Sequence, residues 1–150
     1  MAQHFSKILH ATDYSKASAR ALDQAIALAK QNRAELLVLH VIDPVTPYVT
    51  GEDIGGAELY MKLEETTKQE AETSMKKLVE KLRKLKVNAK SLLLRGTAHE
   101  QIVKAAKGRR ANLIVIGTHG RTGLSKLLMG SVANQVVSRA HCPVLTVHGK

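Results

Sequence analysis

The segment LIVIGTHGRTGLSKLLMGSVANQVV, residues 113–137, passes from an apolar run through a glycine-rich stretch into a helical period. Leu113 to Ile116 are four consecutive aliphatic residues, the pattern of a short strand covered on both faces. Gly117-Thr118-His119-Gly120 ends that strand, and nine residues later Gly130-Ser131 opens the next element. Val132, Val136, Val137 and Ala140 then recur at helical spacing. Pro143 to Val147 reads as a further strand. Strand, helix and strand in that order make a parallel crossover unit.

The same alternation extends toward the N-terminus. Lys7 to Ala11 reads as a strand that stops at Thr12-Asp13, and Ser15 caps a helix with Ala17, Ala21, Leu22, Ala25, Ile26 and Ala29 on one face. Glu35 to Ile42 is an almost unbroken apolar strand. Asp43 to Ala57, rich in Pro and Gly, is expected to be a loop. A long helix is expected from about Glu58 to Leu85, with Ala71, Met75, Leu78, Leu82 and Leu85 as its core stripe. Val87 to Leu94 is a third strand ended by Gly96, and Thr97 with Glu100 forms a capping-box pair for a helix reaching about Lys107. The expectation is an α/β fold: one domain over residues 1–150, an open twisted parallel five-stranded sheet with helices on both faces. Ligands in such sheets sit beyond the carboxyl ends of the strands. That rule selects Thr12 to Ser15, Val41 to Asp43, Gly96-Thr97 and Gly117 to Ser131.

Composition bounds the function classes. The 150 residues are 44% hydrophobic and 24% charged with no Trp and one Phe, so the core is aliphatic. No apolar run approaches the ~20 residues of a membrane span, and Met1 to Phe5 show no basic segment leading into an apolar one, so neither membrane nor secretion is expected. The lone Cys142 makes no internal disulfide, which fits a reducing compartment, and a cytoplasmic location is expected. The net charge of +10 is the unusual quantity. Lys76, Lys77, Lys81, Arg83, Lys84, Lys86 and Lys90 cluster along the chain among acidic residues, as on a solvated helix face. Without interleaved aromatics to stack bases, nucleic acid is not an expected partner.

Glycine after a strand lets a polyanion approach the backbone, and Gly130-Ser131 at a helix start offers free N–H groups and the positive dipole end. The Ser131 hydroxyl adds a donor, and Arg121 and Lys126 add charge. The same glycines also suit a bare turn and a helix cap. Neither G-x-x-x-x-G-K-[ST] nor G-x-G-x-x-G is present.

The pattern G-x2-G-x9-G-[ST], carried by Gly117, Gly120, Gly130 and Ser131, resembles the signature of the universal stress protein family in its ATP-binding branch. ILHATDYS, LLVLHVID and CPVLTV agree with it, and the resemblance covers nearly the whole chain. It implies a Rossmann-like fold of the adenine nucleotide alpha hydrolase-like kind. It also implies ATP, or ADP or AMP, as ligand with Mg2+ or Mn2+ on the phosphates, and homodimers through Pro143 to Val147. By the same resemblance Thr12 and Asp13 lie at the ribose or metal, and Val41 contacts adenine through its backbone. Gly117, Gly120, Gly130 and Ser131 hold phosphates, with His119, Arg121 and Val132 nearby. Ala11 departs from the proline common at that position. Substituting proline for Leu145 is the change expected to separate such a dimer.

Read from its residues alone, Asp13 can cap the next helix as well as bind ribose or Mg2+; Asp43 can do likewise or simply begin a turn. His10 and His40 read as structural histidines and Cys142 as an inert thiol. No zinc spacing and no catalytic base is recognisable. The leading expectation is an ATP-binding, nucleotide-dependent regulatory or stress-response protein, at most a slow ATPase. An ATPase or adenylyl-transferring enzyme of the same superfamily is the alternative, and a nucleic-acid-binding module a remote one.

Overall fold

The computed structural model describes residues 4–44, 54–119 and 129–149. Strands β1 (Lys7–Ala11), β2 (Glu35–Ile42), β3 (Ala89–Arg95), β4 (Leu113–Gly117) and β5 (Val144–Val147) alternate with helices α1 (Lys16–Asn32), α2 (Ile54–Lys84), α3 (Ala98–Gly108) and α4 (Ser131–Arg139). All strand pairs are parallel and the sheet order is β3-β2-β1-β4-β5. Register places His10 between Val38 of β2 and Val115 of β4. The chain direction across the sheet reverses at β1 and β4, and that junction is where this class of sheet opens a ligand crevice.

The period-two pleat divides the aliphatic strands between two cores. Ile8, Leu36, Val38 and Val115 pack against the alanine face of α1 and against Met75 and Leu82 of α2. Leu9, Leu37, Leu39, Ile114 and Ile116 pack against Ile102 and Ala106 of α3 and Val136 of α4. Each large side chain buried this way contributes about 1.5–3 kcal/mol. Alanines at 17, 21, 25 and 29, all buried, let α1 lie close to the sheet without a large side chain between.

Several expected details differ. α2 begins at Ile54 instead of Glu58, taking in Gly55 and Gly56. Glycine costs about 1 kcal/mol in a helix, but the long helix that follows propagates one bond per residue and absorbs it. The rest of the expected loop, residues 45–53, lies outside the described residues. Leu85 lies beyond the end of α2 and is exposed, while Val79 is buried in the stripe; a 3.6-residue turn drifts away from a strict 4-3-4-3 repeat. Val137 is exposed because its neighbour Val136 occupies the core position. Thr97 is the N-cap of α3, yet its side chain makes no capping bond. The T-x-x-E spacing locates a helix start but does not fix the rotamer at the cap. β3 and β5 start one or two residues later than expected.

Candidate functional site

Every strand stops at the same edge, and there the chain builds a polar frame. At the end of β1 the Thr12 N–H donates to the Leu39 carbonyl at 2.8 Å. Ser18, buried in the first turns of α1, donates its hydroxyl to Thr12 Oγ1 at 2.8 Å and accepts the Asp13 N–H at 3.3 Å. Asp13 Oδ1 accepts the Ser15 N–H at 2.9 Å, and Ser15 Oγ accepts the Ser18 N–H at 3.2 Å. Asp13 therefore takes part in the capping turn that its sequence position allowed. Tyr14 between them has a left-handed backbone (φ 63°), and its ring lies 4.7 Å from that of His40. His40 in turn donates Nδ1–H to the Thr12 carbonyl at 2.7 Å.

The end of β4 is tied from three sides through Thr118, which is 1% exposed. Its N–H donates to the Val147 carbonyl at 2.9 Å and its carbonyl accepts the Gly130 N–H at 2.6 Å. Its hydroxyl lies 3.0 Å from His119 Nδ1 and 3.3 Å from His148 Nδ1. Gly117 has a packing reason to be glycine: a Cβ there would stand 2.9 Å from the backbone carbon of Ala17. Gly130 is the extended N-cap of α4, its carbonyl taking the Asn134 N–H at 3.0 Å. The N–H groups of Ser131, Val132 and Ala133 are those of a helix's first turn, which have no partner inside the helix.

Between these pieces lies a cavity of about 450 Å3, within the usual range for small-molecule sites. Thr12, Asp13, Val41, Gly117, His119, Gly130, Ser131 and Val132 all line it. Gly120 and Arg121 lie outside the described residues. His40, Thr67 of α2 and Ala98 and Ile102 of α3 also line the cavity, and sequence reasoning did not select them. His40 stands two residues before the end of β2, beside the selected Val41, a signal that was available; Thr67 arrives only through the packing of a distant helix. Among the described residues no three His, Cys, Asp or Glu side chains cluster as a metal centre. Asp13 and Asp43 are the carboxylates among the described residues that line the cavity, and a carboxylate there can meet a cation that a ligand's own phosphates also hold. Cys142 lies apart from the cavity, and burial pushes its thiol up, away from the reactive thiolate.

Fold and cavity together define a doubly wound α/β protein with its ligand crevice at the carboxyl ends of the central strands. The chain belongs to the universal stress protein family, whose model matches residues 4–148. It is 38% identical to universal stress protein MJ0531 of Methanocaldococcus jannaschii over 95% of this chain and 82% of that one. The solved structure of MJ0577 from the same organism superposes with a TM-score of 0.83 at 31% identity, covering 99% of both chains. A universal stress protein family member from Arabidopsis thaliana, solved with AMP bound, shares the fold with a TM-score of 0.67 at 22% identity, over 97% of this chain and 92% of that one. No helix among the described residues is long and apolar enough to cross a membrane.

Proposed function

We propose that this chain, as one domain over residues 1–150, is an ATP-binding regulatory or stress-response protein of the cytoplasm whose nucleotide state alters its conformation or partners. The observation that carries the reading is the cavity itself, where an acidic strand end and the first turn of a helix face each other across about 450 Å3. The A. thaliana protein of this fold was solved with AMP bound, which is in keeping with an adenine nucleotide here. In this reading the base lies against the Val41 backbone and the ribose or a phosphate-bound Mg2+ or Mn2+ at Thr12 and Asp13. The phosphates lie over the N-terminus of α4, with Gly117, His119 and Gly130 around them; Gly120 and Arg121, given the same role by the resemblance, lie outside the described residues. Gly130 has its N–H committed to Thr118, so the donors are the Ser131 and Val132 N–H groups and the Ser131 hydroxyl.

Among the described lining residues none is arranged to orient an attacking water, which is in keeping with hydrolysis that is at most slow. Titration calorimetry with ATP and Mg2+ tests the reading. Saturable binding is expected, and no heat at millimolar nucleotide would overturn it. An ATPase or adenylyl-transferring activity would instead appear as ADP or AMP in a timed product analysis.

A further inference from the structure

A parallel sheet sends every strand one way, so the C-terminal ends of α1 to α4 and the beginnings of the strands share the face opposite the cavity. Three helices run out on that face into a residue with positive φ: Arg33 at 54°, Lys86 at 61° and Arg110 at 58°. Such a left-handed position favours glycine, and a residue with a Cβ costs about 1–2 kcal/mol there. A cation at a helix C-terminus recovers about 0.3–1 kcal/mol from the helix dipole. The gain does not exceed the cost, so helix stability gives no reason for Arg or Lys over Gly at all three. Lys84, Lys107 and Arg109 stand beside them, and all six side chains are exposed.

Among the described residues none of these six is in an ion pair. Glu35, the carboxylate at the start of β2, is already held by Lys7 at 3.6 Å and Lys90 at 3.1 Å. Along the chain the cations fall in separate runs, Lys76 to Lys90 and Lys104 to Arg110. The topology brings Arg33, Arg109 and Arg110 from two other helices to the same end as Lys84 and Lys86.

We propose that this face binds the phosphate backbone of a nucleic-acid duplex without reading its sequence. The cations are anchored at the ends of rigid helices, and no Tyr or Trp stands among them to stack unpaired bases. A membrane surface fits less well, because Leu85 is the exposed large apolar side chain in this group and interfacial binding needs a whole apolar face. The sequence pointed away from nucleic acid because it lacks aromatics to stack unpaired bases, a requirement that backbone binding to a duplex does not make.

The test is fluorescence anisotropy of a labelled duplex of about 20 base pairs at salt from about 50 to 200 mM, where backbone binding weakens steeply. The variant Arg33→Gly/Lys86→Gly/Arg110→Gly removes three cations at positions where glycine relieves the backbone, so its melting temperature should be unchanged or higher. Its affinity should fall severalfold at low salt, and its log–log salt slope should be shallower by up to about 2.7. A control, Arg20→Gln/Lys62→Gln/Lys68→Gln, removes the same charge elsewhere and should bind nearly as the parent does. Absence of duplex binding at about 50 mM salt, or equal losses in both variants, would overturn the proposal. Preferential binding to phosphatidylserine vesicles over duplex at the same ionic strength would also overturn it and assign the face to lipid headgroups.

Discussion

His10 lies in the middle of β1 with no exposed surface. Its Nδ1–H donates to the Val115 carbonyl at 3.0 Å, and its Nε2 meets no hydrogen-bond partner. Reading it as a structural histidine was right, but only half of its hydrogen-bonding capacity is met. Burial brings its pKa from 6.5 down to about 4, outweighing the Val115 hydrogen bond and the Asp13 charge. The unfolded chain therefore takes up a proton near pH 6.5 that the folded chain refuses until about pH 4. The contribution of neutral His10 to stability is complete above pH 6.5 and shrinks as pH falls through that window, by up to about 3 kcal/mol. Urea unfolding from pH 7 to 4 should show this loss, and His10→Met should flatten the part of the slope that His10 supplies. Gly117 offers a second prediction at this scale. Gly117→Ala drives a Cβ against the Ala17 backbone at 2.9–3.0 Å, and is expected to cost about 1–3 kcal/mol in chemical unfolding even without any ligand. Unchanged stability would show that the glycine is not needed for packing.

The junction of β1 and α1 shows how far elements can be read from sequence. Ser15 as a cap, the alanine face of α1 and the limits of β1 and β2 were all legible, because capping chemistry and side-chain period act locally. The start of α2, the exposed Leu85 and the unmade Thr97 cap were not, since each depends on how far a helix propagates or which rotamer its neighbours admit. The cavity divides in the same way. Strand ends and helix starts are marked in the sequence, so Thr12, Asp13, Val41 and Gly130 could be named, whereas Thr67 and Ile102 join them only after the helices have packed. Ser18 belongs with the second group: its helical position was legible, but its two hydrogen bonds to the end of β1 were not. Ser18→Ala removes the hydroxyl that donates to Thr12 Oγ1 and accepts the Asp13 N–H, while Thr12 Oγ1 keeps the Tyr14 N–H at 3.1 Å, and should cost about 1 kcal/mol. If Asp13 faces the nucleotide, ATP affinity measured by calorimetry should fall as well, because the strand end is no longer held. Stability lost with affinity intact would separate Asp13 from the ligand.

At the scale of the whole molecule, β5 is an edge strand whose outer side pairs with no strand among the described residues, and such edges recruit a second copy or are blocked against it. The expectation of homodimers through Pro143 to Val147 has that edge and the exposed Leu145 in its favour. Hydrogen-bond direction decides how to test it. The carbonyls of Pro143 and Val147 accept the N–H groups of Ile114 and Thr118, so the odd-numbered residues of this strand turn their backbone groups inward to β4. In a strand, alternate residues turn theirs the other way, which leaves the N–H groups of Val144 and Thr146 facing the open edge. Leu145→Pro, the substitution chosen from sequence, would remove an inward N–H that the sheet itself needs, and a monomer obtained that way would not distinguish lost pairing from a damaged strand. Thr146→Pro instead removes an outward N–H at an edge, where proline is tolerated. Sedimentation should find the parent protein dimeric and Thr146→Pro monomeric, with a melting temperature close to that of the parent at matched low concentration. A dimer that survives Thr146→Pro is held by another surface, and a variant that loses its fold along with its partner would mean that β5 contributes more to this sheet than its four residues indicate.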